Sequence, residues 1–160
     1  MAFMKEDCNV PISEMAKRLA YTEGEVTFVL PSEMVSMLPG VHAQRILEML
    51  PEWGELMTIV SSLGSIFEFK GALPEGKVAR GYYNLMGKTG QLHGHILLDN
   101  IAHVAMVSKP FRGKESHYIG FYVASGECIF KVYLGRDNKR QLFPDQIRKL
   151  QQLKKEVMTW

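Results

Sequence analysis

Hydrophobic and polar positions along the chain follow two periods. From residue 11 to 30, PISEMAKRLAYTEGEVTFVL, Met15, Leu19, Val26, Val29 and Leu30 recur at helical spacing. This stripe predicts two short helices, with Ser13 as N-cap and Pro11 just upstream. Residues 43–50, AQRILEML, predict another helix, ended by Pro51 and followed by Trp53-Gly54. Thereafter the period changes to two. Strands are predicted over 56–61, 65–72, 78–86, 91–98, 101–108, 116–124 and 127–134, joined mostly by short turns such as Asp99-Asn100 and Ser125-Gly126. Over 145–157 helical spacing returns, with Ile147, Leu150, Leu153 and Val157 on one stripe.

Short connections force neighbouring strands to run antiparallel, because a parallel pair needs a long crossover. The expected fold is therefore α+β: an antiparallel meander of about seven strands covered by a helical N-terminal portion and a C-terminal helix. No repeat or linker interrupts it, so residues 1–160 read as one domain. It comprises a mainly helical part (1–54), a sheet (55–143) and a terminal helix (144–158). The sixth strand carries Ile119, Phe121 and Val123 on one side and Tyr118 and Tyr122 on the other, so both sheet faces need cover. The two helical portions are expected on one face, leaving the other to a partner subunit, a ligand, or both.

Composition narrows the function classes. A net charge of +2, left by 19 basic and 17 acidic residues, gives no global field for nucleic acid or an anionic membrane. Cys8 and Cys128 stand far apart, outside any CxxC spacing, which argues against a disulfide scaffold, a zinc site and covalent haem attachment. The N-terminus, MAFMKEDCNVP, does not read as a secretory signal, and no apolar run reaches the ~18 residues that span a bilayer. A cytoplasmic setting is expected. Ala16, Ala20, Val26 and Val29 match the packing positions of a helix-turn-helix, yet the second helix begins Thr22-Glu23-Gly24-Glu25, whose acids repel phosphate. No GxSxG, HExxH or P-loop occurs.

The stretch from Val78 to Leu98 gathers the candidate chemistry. Two β-type runs flank Gly87-Lys88-Thr89-Gly90, which reads as a hairpin. With the turn centred between Lys88 and Thr89, Tyr82 faces His95 and Asn84 faces His93, and alternation puts Arg80, Tyr82, Asn84, His93 and His95 on one face. His-x-His can hold a metal, but no third ligand for zinc or non-haem iron is visible nearby. A phenol suits ferric haem, and an adjacent imidazole can hydrogen-bond its oxygen. Tyr82 and His95 are therefore expected to supply one iron ligand and one modulator. Arg80 can reach a propionate at the ring's edge. Lys109 and Arg112, in the loop KPFRGKE, are further candidates for that role, with Phe111 as an apolar wall. Met86 can line the pocket, whereas His42, His103 and His117 read as ordinary polar or core positions.

These residues resemble a known family. GYYNLMGKTGQLHGHI, the LGRDNKRQLFPDQ segment, WGELMTIV from Trp53 and FEFKGALPEG from Phe67 are together similar to the HutX/ChuX intracellular haem-utilisation carriers. The resemblance implies a cytoplasmic carrier that takes imported haem, haem b as bound cargo, to a haem-degrading or other acceptor protein. It also implies a homodimer related in fold to the two-repeat haem-handling proteins of the HemS type. By motif, the GHI histidine corresponds to His95 and the first tyrosine of GY(Y/F)NL to Tyr82. Two departures stand out. Some relatives have a histidine where this chain has Ser61, and the turn before His95 is one residue longer than in some of them, which brings His93 into competition with His95. The alternatives are a haem-degrading enzyme and a haem-responsive DNA-binding protein.

Overall fold

The computed structural model describes residues 10–160; Cys8 lies outside them. Helix α1 (Ile12–Leu19) begins at Pro11 without a side-chain cap, and Ser13, the expected N-cap, sits inside its first turn. Proline needs no partner for a missing N–H, so the helix starts two residues early. Ala20 ends it in the left-handed region. Helix α2 (Glu23–Thr27) has a capping box: Thr22 Oγ1 accepts from the Glu25 amide at 3.2 Å, and Glu25 Oε1 accepts from the Thr22 amide at 3.0 Å. The acids that argued against DNA contact thus have a local task.

Strand β1 (Val35–Pro39) and helix α3 (Ala43–Met49) follow, and a 3-10 turn over Leu50–Trp53 leads into the sheet. The remaining strands are β2 (Glu55–Ser62), β3 (Ser65–Ala72), β4 (Gly76–Ala79), β5 (Tyr82–Met86), β6 (His93–Leu97), β7 (His103–Ser108), β8 (His117–Tyr122) and β9 (Cys128–Leu134). Helix α4 (Pro144–Glu156) completes the fold. The α+β class and the antiparallel pairing are as expected, but among the described residues the strands number nine and form two sheets. One has the order β1-β7-β8-β9-β2-β3; the other is β4-β5-β6. The six-stranded sheet is not a simple meander, because β9 returns to pair with β2.

The helical portions lie on opposite faces of the large sheet, not on one. Met15, Ala16, Val26 and Leu30 pack with Ala105, Val107, Tyr118 and Tyr122. Leu150 and Leu153 of α4, with Val157 just beyond its end, join Ile46 and Leu47 of α3 against Val104, Met106, Ile119 and Phe121. Strand alternation explains the division, since successive residues of β7 point to opposite sides. Tyr83 and Leu85 carry the small sheet into this second core.

Helix α2 is fastened to the β8–β9 turn. The Gly24 amide donates to Gly126 O at 2.7 Å, and a Cβ at Gly24 would lie 2.6 Å from that oxygen. Beside it Lys131 Nζ meets Glu23 Oε1 at 2.6 Å, both side chains largely buried. Burial pushes the Lys131 ammonium down, but the Glu23 carboxylate, joined by Tyr133, Cys128 and Tyr122 around it, holds the lysine above its ordinary range. A raised lysine contributes fully below its unfolded value and loses its contribution only as pH climbs through the folded one. Glu23→Gln is expected to cost about 3 kcal/mol by stranding a buried cation. Denaturant unfolding should show a smaller cost at about pH 9 than at about pH 7: without the carboxylate, burial lowers the lysine, and the folded variant gains stability as that buried amine sheds its proton.

Candidate functional site

The small sheet is amphipathic. Along β5, Tyr83 and Leu85 turn inward while Tyr82, Asn84 and Met86 turn outward. The ring of Tyr83 lies over Gly76, where a Cβ would sit 2.2 Å from it, so only glycine lets β4 pass. On β6 the outward residues are His93, His95 and Leu97.

The pairing differs from the expected one. Tyr82 lies opposite Leu97, Asn84 opposite His95 and Met86 opposite His93. The slip is two residues, so every side chain keeps its face while each partner changes. Its cause is the loop after Met86: the Lys88 amide donates to Gln91 Oε1 at 2.7 Å and the Gln91 amide to Lys88 O at 2.8 Å, which closes the turn further along. Tyr82 and His95 are thus diagonal neighbours, their rings edge to face with centroids 6.1 Å apart.

A second difference lies upstream. The expected strand 78–86 is itself a hairpin, because Arg80 (φ 56) and Gly81 (φ 82) form a two-residue turn with both φ positive. Arg80 is therefore not a strand residue beside Tyr82, yet from the turn it lines the same cavity. This cavity, about 720 Å³ and open on one side, is lined by Lys77, Ala79, Arg80, Tyr82, Asn84, Met86 and His95. Lys77, absent from the sequence candidates, pairs with Asn84 across β4–β5. Recognising Arg80-Gly81 as a turn would have placed it on this face.

The other candidates lie elsewhere. His93 is on the open face but at its turn end, with Nε2 3.3 Å from Lys88 O. Lys109 is not a loop cation near the cavity: it is 6% exposed, and its Nζ donates to Val10 O at 2.6 Å. Arg112 stands in the left-handed region with its guanidinium 5.4 Å from the Phe111 ring. It lines a separate cavity of about 460 Å³ over β2, β3 and β9, together with Ser61, Ile66, Phe111, Lys131 and Tyr133. A neighbouring cavity of about 430 Å³ on the same sheet adds Lys114, Arg136 and Arg140. All three remaining histidines have partners: His103 packs edge-on to Phe28, His42 stands by Trp160, and His117 bonds Ser108 and Glu115.

Among the described residues no group of three or more His, Cys, Asp or Glu could hold a metal ion. Burial pushes the Cys128 thiol up to about 12, so it is no ready thiolate ligand. The open face offers instead a phenol, an imidazole, a thioether and two cations around an apolar concavity. That set suits a flat apolar ligand with acidic groups at its margin.

The fold is that of an α+β protein, and its candidate site is one open sheet face. Comparison with known proteins makes this specific. The family described as haem utilisation ChuX/HutX matches residues 36–153. The intracellular heme transport protein HutX of Vibrio cholerae serotype O1 (strain ATCC 39315 / El Tor Inaba N16961) is 57% identical over 142 residues, covering 89% of this chain and 74% of its own length. A crystal structure of ChuX superimposes with a TM-score of 0.92 at 31% identity, covering 99% of this chain and 98% of that one. The heme degrading enzyme ChuS of Escherichia coli O157:H7 superimposes at 0.74 with 18% identity, over 88% of this chain and 42% of that one, and shares the fold alone. The chain belongs to the ChuX/HutX haem-utilisation family.

Proposed function

We propose that this protein is a cytoplasmic carrier that binds haem b as cargo and passes it to a haem-degrading or other acceptor protein, without itself acting on the ring. The observation that carries the reading is the open face of the small sheet, where Tyr82 and His95 meet edge to face above an apolar concavity rimmed by Lys77 and Arg80. Tyr82 is the iron ligand, because a phenolate is a hard anionic donor suited to ferric haem. His95 modulates it. Arg80 and Lys77 pair with propionates, and His93 is held back by its loop.

A haem is a disc with two faces, and the small sheet supplies one wall. We assign the other to a second copy of the chain. Among the described residues strand β3 ends the large sheet with an unpaired edge, and Leu63, Ile66 and Phe67 at its hairpin are strongly exposed, the last at 63%. An exposed apolar strand edge is the surface a protein covers by association. The open large-sheet face, with Arg112 and Arg136 at its margin, then gives Arg112 its expected role from the partner copy. The DNA-binding alternative is not adopted: α2 has five residues, begins with acids and is fixed to the β8–β9 turn.

Titration of the purified protein with ferric haem, monitored by absorbance and by size, tests the reading. The expected result is a saturable Soret change on a dimer. Absence of saturable binding would contradict the carrier assignment, and a monomer that binds haem fully would remove the second copy. Reduction under oxygen with catalase present should leave the bound ring intact; release of a ring-opened product would favour the enzyme.

A further inference from the structure

Asn84 stands in the middle of the open face, opposite Lys77 on one side and His95 on the other. One atom of its side-chain amide has three backbone carbonyl oxygens around it: Lys77 O at 3.0 Å, Tyr82 O at 3.2 Å and Ala79 O at 3.3 Å. Three acceptors identify that atom as the amide nitrogen, since an oxygen there would meet only repulsion. The carbonyls converge because the Arg80-Gly81 turn folds β4 back on β5. The amide's other atom, 2.5 Å from His95 Nδ1, is therefore an oxygen that can only accept. It follows that Nδ1 carries a hydrogen. In a neutral imidazole one nitrogen donates and the other accepts, so Nε2 is left with its lone pair.

We infer that Asn84 is a positioning residue: anchored by three carbonyls, it fixes His95 as the Nδ1–H tautomer and keeps Nε2 an acceptor on the cargo side. The step concerning cargo rests on the haem reading above; the tautomer does not. With its lone pair free, Nε2 can accept a hydrogen bond from the Tyr82 hydroxyl, whose ring lies edge to face with the imidazole. With the opposite tautomer, Nε2 would carry its own hydrogen and could only donate. Asn84 thus acts through His95 on the basicity of Tyr82, the outer-shell role that tunes a metal ligand.

The test reads the tautomer first, without haem. Two-bond 1H–15N correlation spectra of the 15N-labelled full chain near neutral pH are expected to show His95 protonated at Nδ1. Asn84→Leu removes the acceptor and should shift His95 toward the Nε2–H form that predominates in free histidine. Asn84→Asp keeps an acceptor and should retain Nδ1–H, which leaves the inference testable should the leucine variant fold poorly. An Nε2–H tautomer in the wild-type protein, or an unchanged tautomer in Asn84→Leu, would overturn the inference. Ferric haem titration of the same samples then tests the cargo step. Asn84→Leu is expected to weaken binding roughly tenfold and Asn84→Asp much less. The expected tautomers with unchanged haem binding would sink the haem role of His95 while leaving the tautomer assignment standing.

Discussion

Tyr82→Phe is expected to lower the affinity for ferric haem by at least about tenfold, each factor of ten corresponding to ~1.4 kcal/mol, and to change the class of the ferric spectrum. Tyr82 is the phenol on the open face; its neighbour Tyr83 is buried beneath the sheet and cannot take its place. What remains near the iron after the change is an imidazole and the thioether of Met86, both neutral donors. Loss of the anionic donor should also alter the pH dependence. Binding through a phenolate releases a proton, so wild-type affinity is expected to rise with pH, and the Phe variant should show a flatter profile. Equilibrium titration at several pH values checks both. An unchanged spectrum and affinity would remove Tyr82 as the ligand.

Gln146→Leu is expected to be the most damaging single change to stability that spares the site. This buried side chain of α4 accepts from the Gly135 amide at 2.7 Å and donates to Trp53 O at 3.0 Å and Glu55 O at 2.7 Å. It binds the start of β2 and the end of β9 to the helix. Leucine would leave these backbone groups without partners, at roughly 1–3 kcal/mol for each group left unpaired. A total of about 4 kcal/mol corresponds to a fall in Tm of roughly 10 °C for a chain of this size. The hairpin face lies on the other sheet, so haem bound well below the new Tm should give the wild-type spectrum. A Tm within about two degrees of wild type would show that the buried amide holds less than its geometry implies.

Much of the fold was legible because the periods are strong. The stripe of Leu150, Leu153 and Val157 marked α4, and the alternation of Tyr82, Tyr83, Asn84 and Leu85 told which side of the hairpin faces outward. What escaped depends on single local choices that pattern does not encode. Strand β1 is five residues ending in proline and offers no alternation to detect. The split at Arg80-Gly81 needs a non-glycine residue at positive φ, which arginine seldom adopts, so the run from Val78 to Met86 reads as continuous. The pairing of Tyr82 with His95 failed on one side-chain hydrogen bond, Gln91 to the Lys88 amide, which moves the turn without changing faces. Lys109 shows the opposite limit: its charge suggested exposure, but its Nζ is satisfied by the Val10 carbonyl from almost a hundred residues away in sequence, a partner that sequence alone cannot name.

The identity of the iron ligand is the point on which carriage and release turn. An anionic ligand backed by a proton acceptor can be detached by reprotonation, which suits a protein that must give its cargo away. Resonance Raman spectroscopy of the ferric haem complex addresses this directly. The account predicts iron-phenolate and phenolate ring modes in the wild-type protein that vanish in Tyr82→Phe and persist in Tyr83→Phe. A wild-type spectrum without phenolate modes, showing two imidazoles at the iron, would contradict it.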